Sequence, residues 1–225
     1  MDWTAQVDAY CERMSPAFWA EPVNAVTNAA FVLAALWMWG RLRDVPVGGG
    51  KTLARTLCVI LALIGIGSFL FHTYATRWAG AADVVPIAIY VLLYIYAANR
   101  HYWRLRPLWA TVTTLGFFPY AALTVPLFSQ LPLLGVSAAY MPVPVMILAY
   151  AFALRGRLPT VARGLAIGGG ILLASLTFRS LDMPMCEAVP FGTHFMWHVL
   201  NGIMLGWMIE VLRRHLVQQA DPRAQ

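Results

Sequence analysis

Five histidines punctuate this chain of 225 residues, and two of them, His194 and His198, stand four residues apart in the apolar stretch Gly192 to Glu210. On a helix that spacing stacks both imidazoles on one face. Setting titratable rings against lipid costs a few kcal/mol unless their nitrogens are engaged, and a metal ion is an economical partner. His72, in GIGSFLFHTY, supplies a third imidazole, and Ser68 precedes it by one helical turn on the same face. Asp83, in AADVVP, adds a carboxylate. Three imidazoles with an open fourth position form the arrangement of catalytic zinc, in which a bound water is acidified to a pKa of about 7. In that chemistry Asp83 takes the water proton or orients a ligand histidine, and Ser68 hydrogen-bonds the water or a substrate carbonyl. Such a centre in a low-dielectric cavity suits attack on an amide or ester carbonyl. A polar helix-packing network without metal is the competing reading. Phe195, Met196 and Trp197 read as ordinary packing, and His101 and His215, beside arginines, need no special role.

The elements that must position these groups follow from composition. Sixty per cent of the residues are apolar, 12% are charged and the mean hydropathy is +0.65, far from the soluble norm of roughly half apolar and a quarter charged. The chain reads as an integral, multi-pass membrane protein. The net charge of +6 does not point to nucleic acid, because no basic stripe with interleaved aromatics occurs and the arginines fall in short loops. Asp2, Asp8 and Glu12 interrupt Met1 to Ala20, so no cleavable signal peptide is expected.

With roughly 20 residues needed per span, the apolar runs at 22–40, 52–74, 79–98, 107–125, 136–154, 165–178 and 192–212 give an all-α, seven-transmembrane helix bundle. It forms a single domain over 1–225, with 1–20 as an extramembrane segment. Pro119 implies a kink in the fourth span, while Pro126 and Pro132 fall in the connection after it. Arg41, Arg43, Lys51, Arg55, Arg100, Arg104, Arg106, Arg155, Arg157, Arg163, Arg213, Arg214 and Arg223 lie on one side, against Arg13, Arg77 and Arg179 on the other. That bias puts the C-terminus in the cytoplasm and the N-terminus outside. Ser68, His72, Asp83, His194 and His198 then share one depth in the outer half of the membrane.

Cys11 and Cys186 both fall outside in this topology, where a disulfide or two free thiols are the alternatives; Cys58 reads as a small core residue. Trp3, Trp19, Trp78, Trp103 and Trp109 sit near span ends as interfacial anchors. Asp8, Glu12, Glu21, Asn24 and Asn28 form a second polar group, and Glu21, Asn24 and Asn28 fall on one helical face. Hard oxygens of this kind suit calcium, although Glu21 before Pro22 is also an ordinary helix start.

The lead-in AYCER with AEPVNAVTN, the second-span GIGSFLFHTY, the third-span AADVVP and the seventh-span THFMWHVLNG together resemble the alkaline ceramidase family. That family belongs to the seven-span hydrolase superfamily that also contains the adiponectin-type receptors, and the Glu-Pro-x-Asn-x-x-Thr-Asn segment favours the ceramidase branch. The resemblance implies zinc on His72, His194 and His198, catalytic assistance from Ser68 and Asp83, and a Cys11–Cys186 disulfide. It also implies calcium on Glu12 and Glu21, with Asp8 and Asn24 as further candidate ligands. One departure is visible: the family's Asp-Trp-Cys-Glu run is here Asp8-Ala9-Tyr10-Cys11-Glu12. The implied reaction is hydrolysis of the amide of ceramide, or of another N-acyl lipid drawn from the bilayer, to a fatty acid and a free amine. The compact chain suggests a bacterial inner-membrane protein with its site in the periplasmic half. The rival class is a seven-span lipid sensor or receptor with a structural zinc. Oligomeric state is not legible.

Overall fold

The computed structural model describes residues 2–132 and 134–220; Arg223 of the charge count lies outside them. Among the described residues nine α-helices and two short 3-10 turns occur, and no strand beyond an isolated Gln6–Thr76 bridge; the α-helices are α1 (Pro22–Thr27), α2 (Ala29–Arg41), α3 (Gly49–Tyr74), α4 (Arg77–His101), α5 (Pro107–Leu115), α6 (Phe117–Phe128), α7 (Pro142–Leu154), α8 (Pro159–Leu181) and α9 (His194–Ala220). They make seven rods, because α1 runs into α2 through Asn28 and α5 into α6 through Gly116.

Six rods are long and apolar enough to cross a membrane: Pro22–Asp44, Gly49–Tyr74, Arg77–His101, Pro107–Phe128, Pro159–Leu181 and His194–Ala220. The seventh, α7, is apolar but has 13 residues, about 20 Å against a hydrocarbon core of about 30 Å. It starts at Pro142, six residues after the expected start, since Pro142 and Pro144 lack the amide that a helix interior needs and are tolerated only in a first turn. Pro159 opens α8 by the same rule, so the expected 165–178 is the middle of a longer helix that takes in Arg163. The seam at Gly116 is the kink expected from Pro119, whose ring removes the hydrogen bond to the Leu115 carbonyl four residues back. Pro126, expected in the connection, instead lies near the end of α6.

The core gathers around α9, which packs on α2, α3 and α8. Tyr90 and Tyr94 of α4 donate hydrogen bonds to the Leu205 and Met208 carbonyls of α9 at 2.7 and 3.0 Å, tying two rods where lipid offers no competing partner. At the end of α9 remote from the histidines, Glu210 accepts from Arg41, Arg213 and Arg214. Cys58 is buried in the core. Trp3, Trp19, Trp78 and Trp109 are exposed near helix ends, whereas Trp103 packs on the core beneath the Arg157 guanidinium.

At the histidine end, the segment before α1 is strapped across the α3–α4 turn. Val7 donates to the Ala75 carbonyl at 2.7 Å, while Arg77 and Trp78 donate to Ala5 and Trp3 at 3.1 and 3.0 Å. Cys11 is disulfide-bonded to Cys186 in the loop before α9. Directly below, α3 and α4 approach so closely at Gly67 that a Cβ there would stand 2.0 Å from the Ala82 carbonyl oxygen. This contact sets Ser68 of α3 beside Asp83 of α4. Gly67→Ala is therefore expected to cost about 1–3 kcal/mol and to lower the melting temperature in detergent. Gly170→Ala, where a Cβ meets nothing within 4 Å, is expected to leave it unchanged or slightly raised.

Candidate metal centre

His72 sits in the last turn of α3, and His194 and His198 occupy the first two turns of α9. The start of α9 is fixed from a distance. Gly192 turns the chain with φ +67°, a left-handed conformation that favours glycine. Asp182 Oδ1 then accepts the Thr193 and His194 amides, both at 2.8 Å, and its Oδ2 accepts the Cys11 amide at 2.9 Å. A Cβ on Gly192 would lie 2.1 Å from Asp182 Oδ1, so side chain and glycine fit only as a pair. The buried Asp182 acts as a helix cap supplied from outside the helix.

The three imidazoles converge. Their ring centroids are separated by 5.2 Å for His72 and His194, and by 4.7 Å from each of these to His198. All three side chains are at most 1% exposed, and one nitrogen from each lies within 4.8 Å of the others. Tyr10 of the strap stacks on His194 at 3.8 Å and closes the cluster from above; burial raises its phenol well above its ordinary pKa and keeps it protonated.

The hydrogen bonds fix which nitrogens face inward. His72 Nδ1 is 2.6 Å from Glu21 Oε2. Burial alone would raise the Glu21 carboxyl, but the hydrogen bonds from His72 and Arg13 and the Arg13 charge hold it below the ordinary value. As a carboxylate it accepts the Nδ1 proton and leaves the Nε2 lone pair free. His198 Nδ1 is 3.0 Å from Thr27 Oγ1. That hydroxyl spends its single proton on the Val23 or Asn24 carbonyls at 2.7 and 3.1 Å, so His198 donates from Nδ1 and again leaves Nε2 bare. His72 Nε2, His198 Nε2 and His194 Nδ1 are all buried without a hydrogen-bond partner. Three partnerless ring nitrogens brought this close are costly in a low-dielectric interior and suit a cation that takes imidazole nitrogen: zinc, copper, iron or nickel. The residues present fit such an ion.

Ser68, one helical turn before His72, lies beside Asp83 across the α3–α4 contact at Gly67. Both line the polar end of a cavity whose remaining walls are almost wholly apolar, among them Tyr94, Ala98, Trp197 and Met208. Along α4 it runs from Asp83 to Ala98, about 22 Å at 1.5 Å per residue. All five expected site residues are thus brought together.

Of the oxygens grouped for calcium, the two buried carboxylates have protein partners, whereas Asn24 Oδ1 and Asn28 Oδ1 are buried without one. Glu12 accepts the Val23 and Asn24 amides at 2.7 and 2.8 Å, capping α1. Glu21 accepts His72, Arg13 and the Asn24 amide group. Asn24 is buried, whereas Asp8 is exposed and joins none of these contacts. The structure adds Thr27, Tyr10, Arg13 and Asp182 to the site. Thr27 lies inside the AEPVNAVTN motif, but a hydroxyl one span away carries no spacing signal toward His198. Arg13 registered only as one of three outward charges. His101 and His215 are not part of the cluster, and His215 Nε2 lies 3.1 Å from the His101 backbone carbonyl.

A family model described as Ceramidase matches residues 2–225. Comparison with curated proteins gave no match. Thr27→Val is expected to lower metal affinity about 10-fold or more, the scale of a lost outer partner, with little effect on helix content. Alanine at His72, His194 or His198 is expected to abolish stoichiometric metal; elemental analysis and competitive titration check both.

Proposed function

The chain belongs to the ceramidase family, and on that premise we propose that it is a membrane-embedded, zinc-dependent amidase. It hydrolyses ceramide or a related N-acyl lipid to a fatty acid and a free amine. The observation that carries the reading is the meeting of three partnerless imidazole nitrogens with Ser68 and Asp83 at the mouth of an apolar cavity. His72 and His198 would hold the ion through Nε2 and His194 through Nδ1. When bound, the metal supplies Lewis acidity toward a carbonyl and toward water.

The other steps belong to the protein. The apolar cavity takes a hydrocarbon chain out of lipid and excludes water from its own length, leaving the amide at the polar end. Asp83 is the general base that accepts a proton from the attacking water and returns it to the amine nitrogen as the C–N bond breaks. Ser68 holds the Asp83 carboxylate or donates to the carbonyl oxygen. Overall, water and amide become carboxylic acid and amine, with no further co-reactant. The cluster has three metal-ligating side chains among the described residues, whereas a structural zinc is normally closed by four; this favours the enzyme over a lipid sensor.

The reading is of a seven-span protein in which α7 crosses together with the turns before it, and its arginine-rich loops are cytoplasmic. The site then opens to the outer half of the membrane, periplasmic in a bacterial inner membrane, and the Cys11–Cys186 disulfide is consistent with that oxidising side. Purified protein given a panel of N-acyl sphingoid bases and other N-acyl amines is expected to release fatty acid. His198→Ala and Asp83→Asn are expected to abolish release, and Ser68→Ala to lower it by about 10²–10⁴. Absence of turnover across the panel, with zinc retained, overturns the reading.

A further inference from the structure

Arg13 is 6% exposed, yet it belongs to none of the catalytic or ligating groups. Its guanidinium lies where several oxygens converge. Nε donates to Glu21 Oε1 at 2.5 Å, Nη1 to the Ser15 and Ala17 carbonyls at 3.1 and 3.4 Å, and Nη2 to the His72 carbonyl at 3.0 Å. One carboxylate and three main-chain carbonyls around a single positive charge form the kind of oxygen cage that a divalent cation occupies elsewhere. Here the charge is covalently part of the chain. The carboxylates that such an ion would use are already committed, Glu21 to three donors and Glu12 to two backbone amides, and the two partnerless oxygens of the group, Asn24 Oδ1 and Asn28 Oδ1, are uncharged amides.

We propose that the Arg13 guanidinium is the resident cation of the extramembrane segment, that it excludes calcium, and that it positions His72 for metal. The connection to His72 runs by two routes. Arg13 holds the Glu21 carboxylate whose other oxygen accepts His72 Nδ1–H, and it binds the carbonyl of His72 itself. That carbonyl is among the last four of α3, which have no partner inside the helix and attract positive charge. Backbone and ring of one ligand are therefore referred to one planar, five-donor group. This deepens the metal-site reading and rests on it, but it concerns a residue that touches neither metal nor substrate.

The test uses the full chain in detergent, stripped of metal and titrated with cobalt(II), whose visible bands report ligand geometry. Wild type is expected to contain no stoichiometric calcium and to bind cobalt equally well with calcium or with a calcium chelator present. Arg13→Gln, which keeps a polar side chain of similar length but loses the charge and the fork, is expected to bind cobalt about 10–100-fold more weakly with shifted bands. One calcium per wild-type chain, or cobalt affinity that rises with calcium, overturns the exclusion. Unchanged affinity and bands in Arg13→Gln overturn the positioning role. If wild type shows no cobalt bands at all, the underlying three-histidine reading fails instead. The wild-type measurements stand whether or not the variant folds.

Discussion

The organisation of this protein depends on keeping three imidazole nitrogens inside a membrane bundle without hydrogen-bond partners. Each such atom is a liability in a low-dielectric interior, and the fold maintains three at once within 4.8 Å. It does so by assigning the opposite edge of two rings to a fixed acceptor: a carboxylate for His72 and a hydroxyl whose proton is already used for His198. The third ring is held by its backbone, which Asp182 caps, and by the face of Tyr10. The site is thus built by denying alternatives to the nitrogens rather than by crowding ligands together.

These supports come from parts of the chain with different degrees of helical order. The ligands ride on the long rods α3 and α9, whereas their partners Glu21, Thr27, Arg13 and Tyr10 come from the strap and the short α1. The long helices set depth, and the irregular segment sets orientation. Gly67 joins the two schemes, since the helix contact it permits sets the Ser68 and Asp83 pair just below the ligand cluster.

Periodicity made the long rods legible, because apolar runs of about 20 residues admit few other structures. The meeting of the three histidines was legible for the same reason: positions on regular helices convert spacing into a face and topology into depth. The fifth rod was read too long because hydropathy does not register that Pro142 and Pro144 must open a helix. Glu12 and Glu21 suggested an oxygen site from residue type alone. The contacts that they make, to the Val23 and Asn24 amides, Arg13 and His72, depend on the irregular segment before α1, in which residue spacing carries no geometry. Asp182 was invisible for the same reason, since it caps a helix that starts twelve residues later.

The disulfide joins residues 175 positions apart, and Tyr10 and Glu21, from the beginning of the chain, complete a pocket whose last two ligands lie near its end. During synthesis the earliest segment must wait for the final rod before any of these contacts can form. The centre therefore cannot assemble on a nascent chain. Disulfide closure and the meeting of the three histidines become late events of biogenesis, so a truncated or stalled product would lack the assembled cluster.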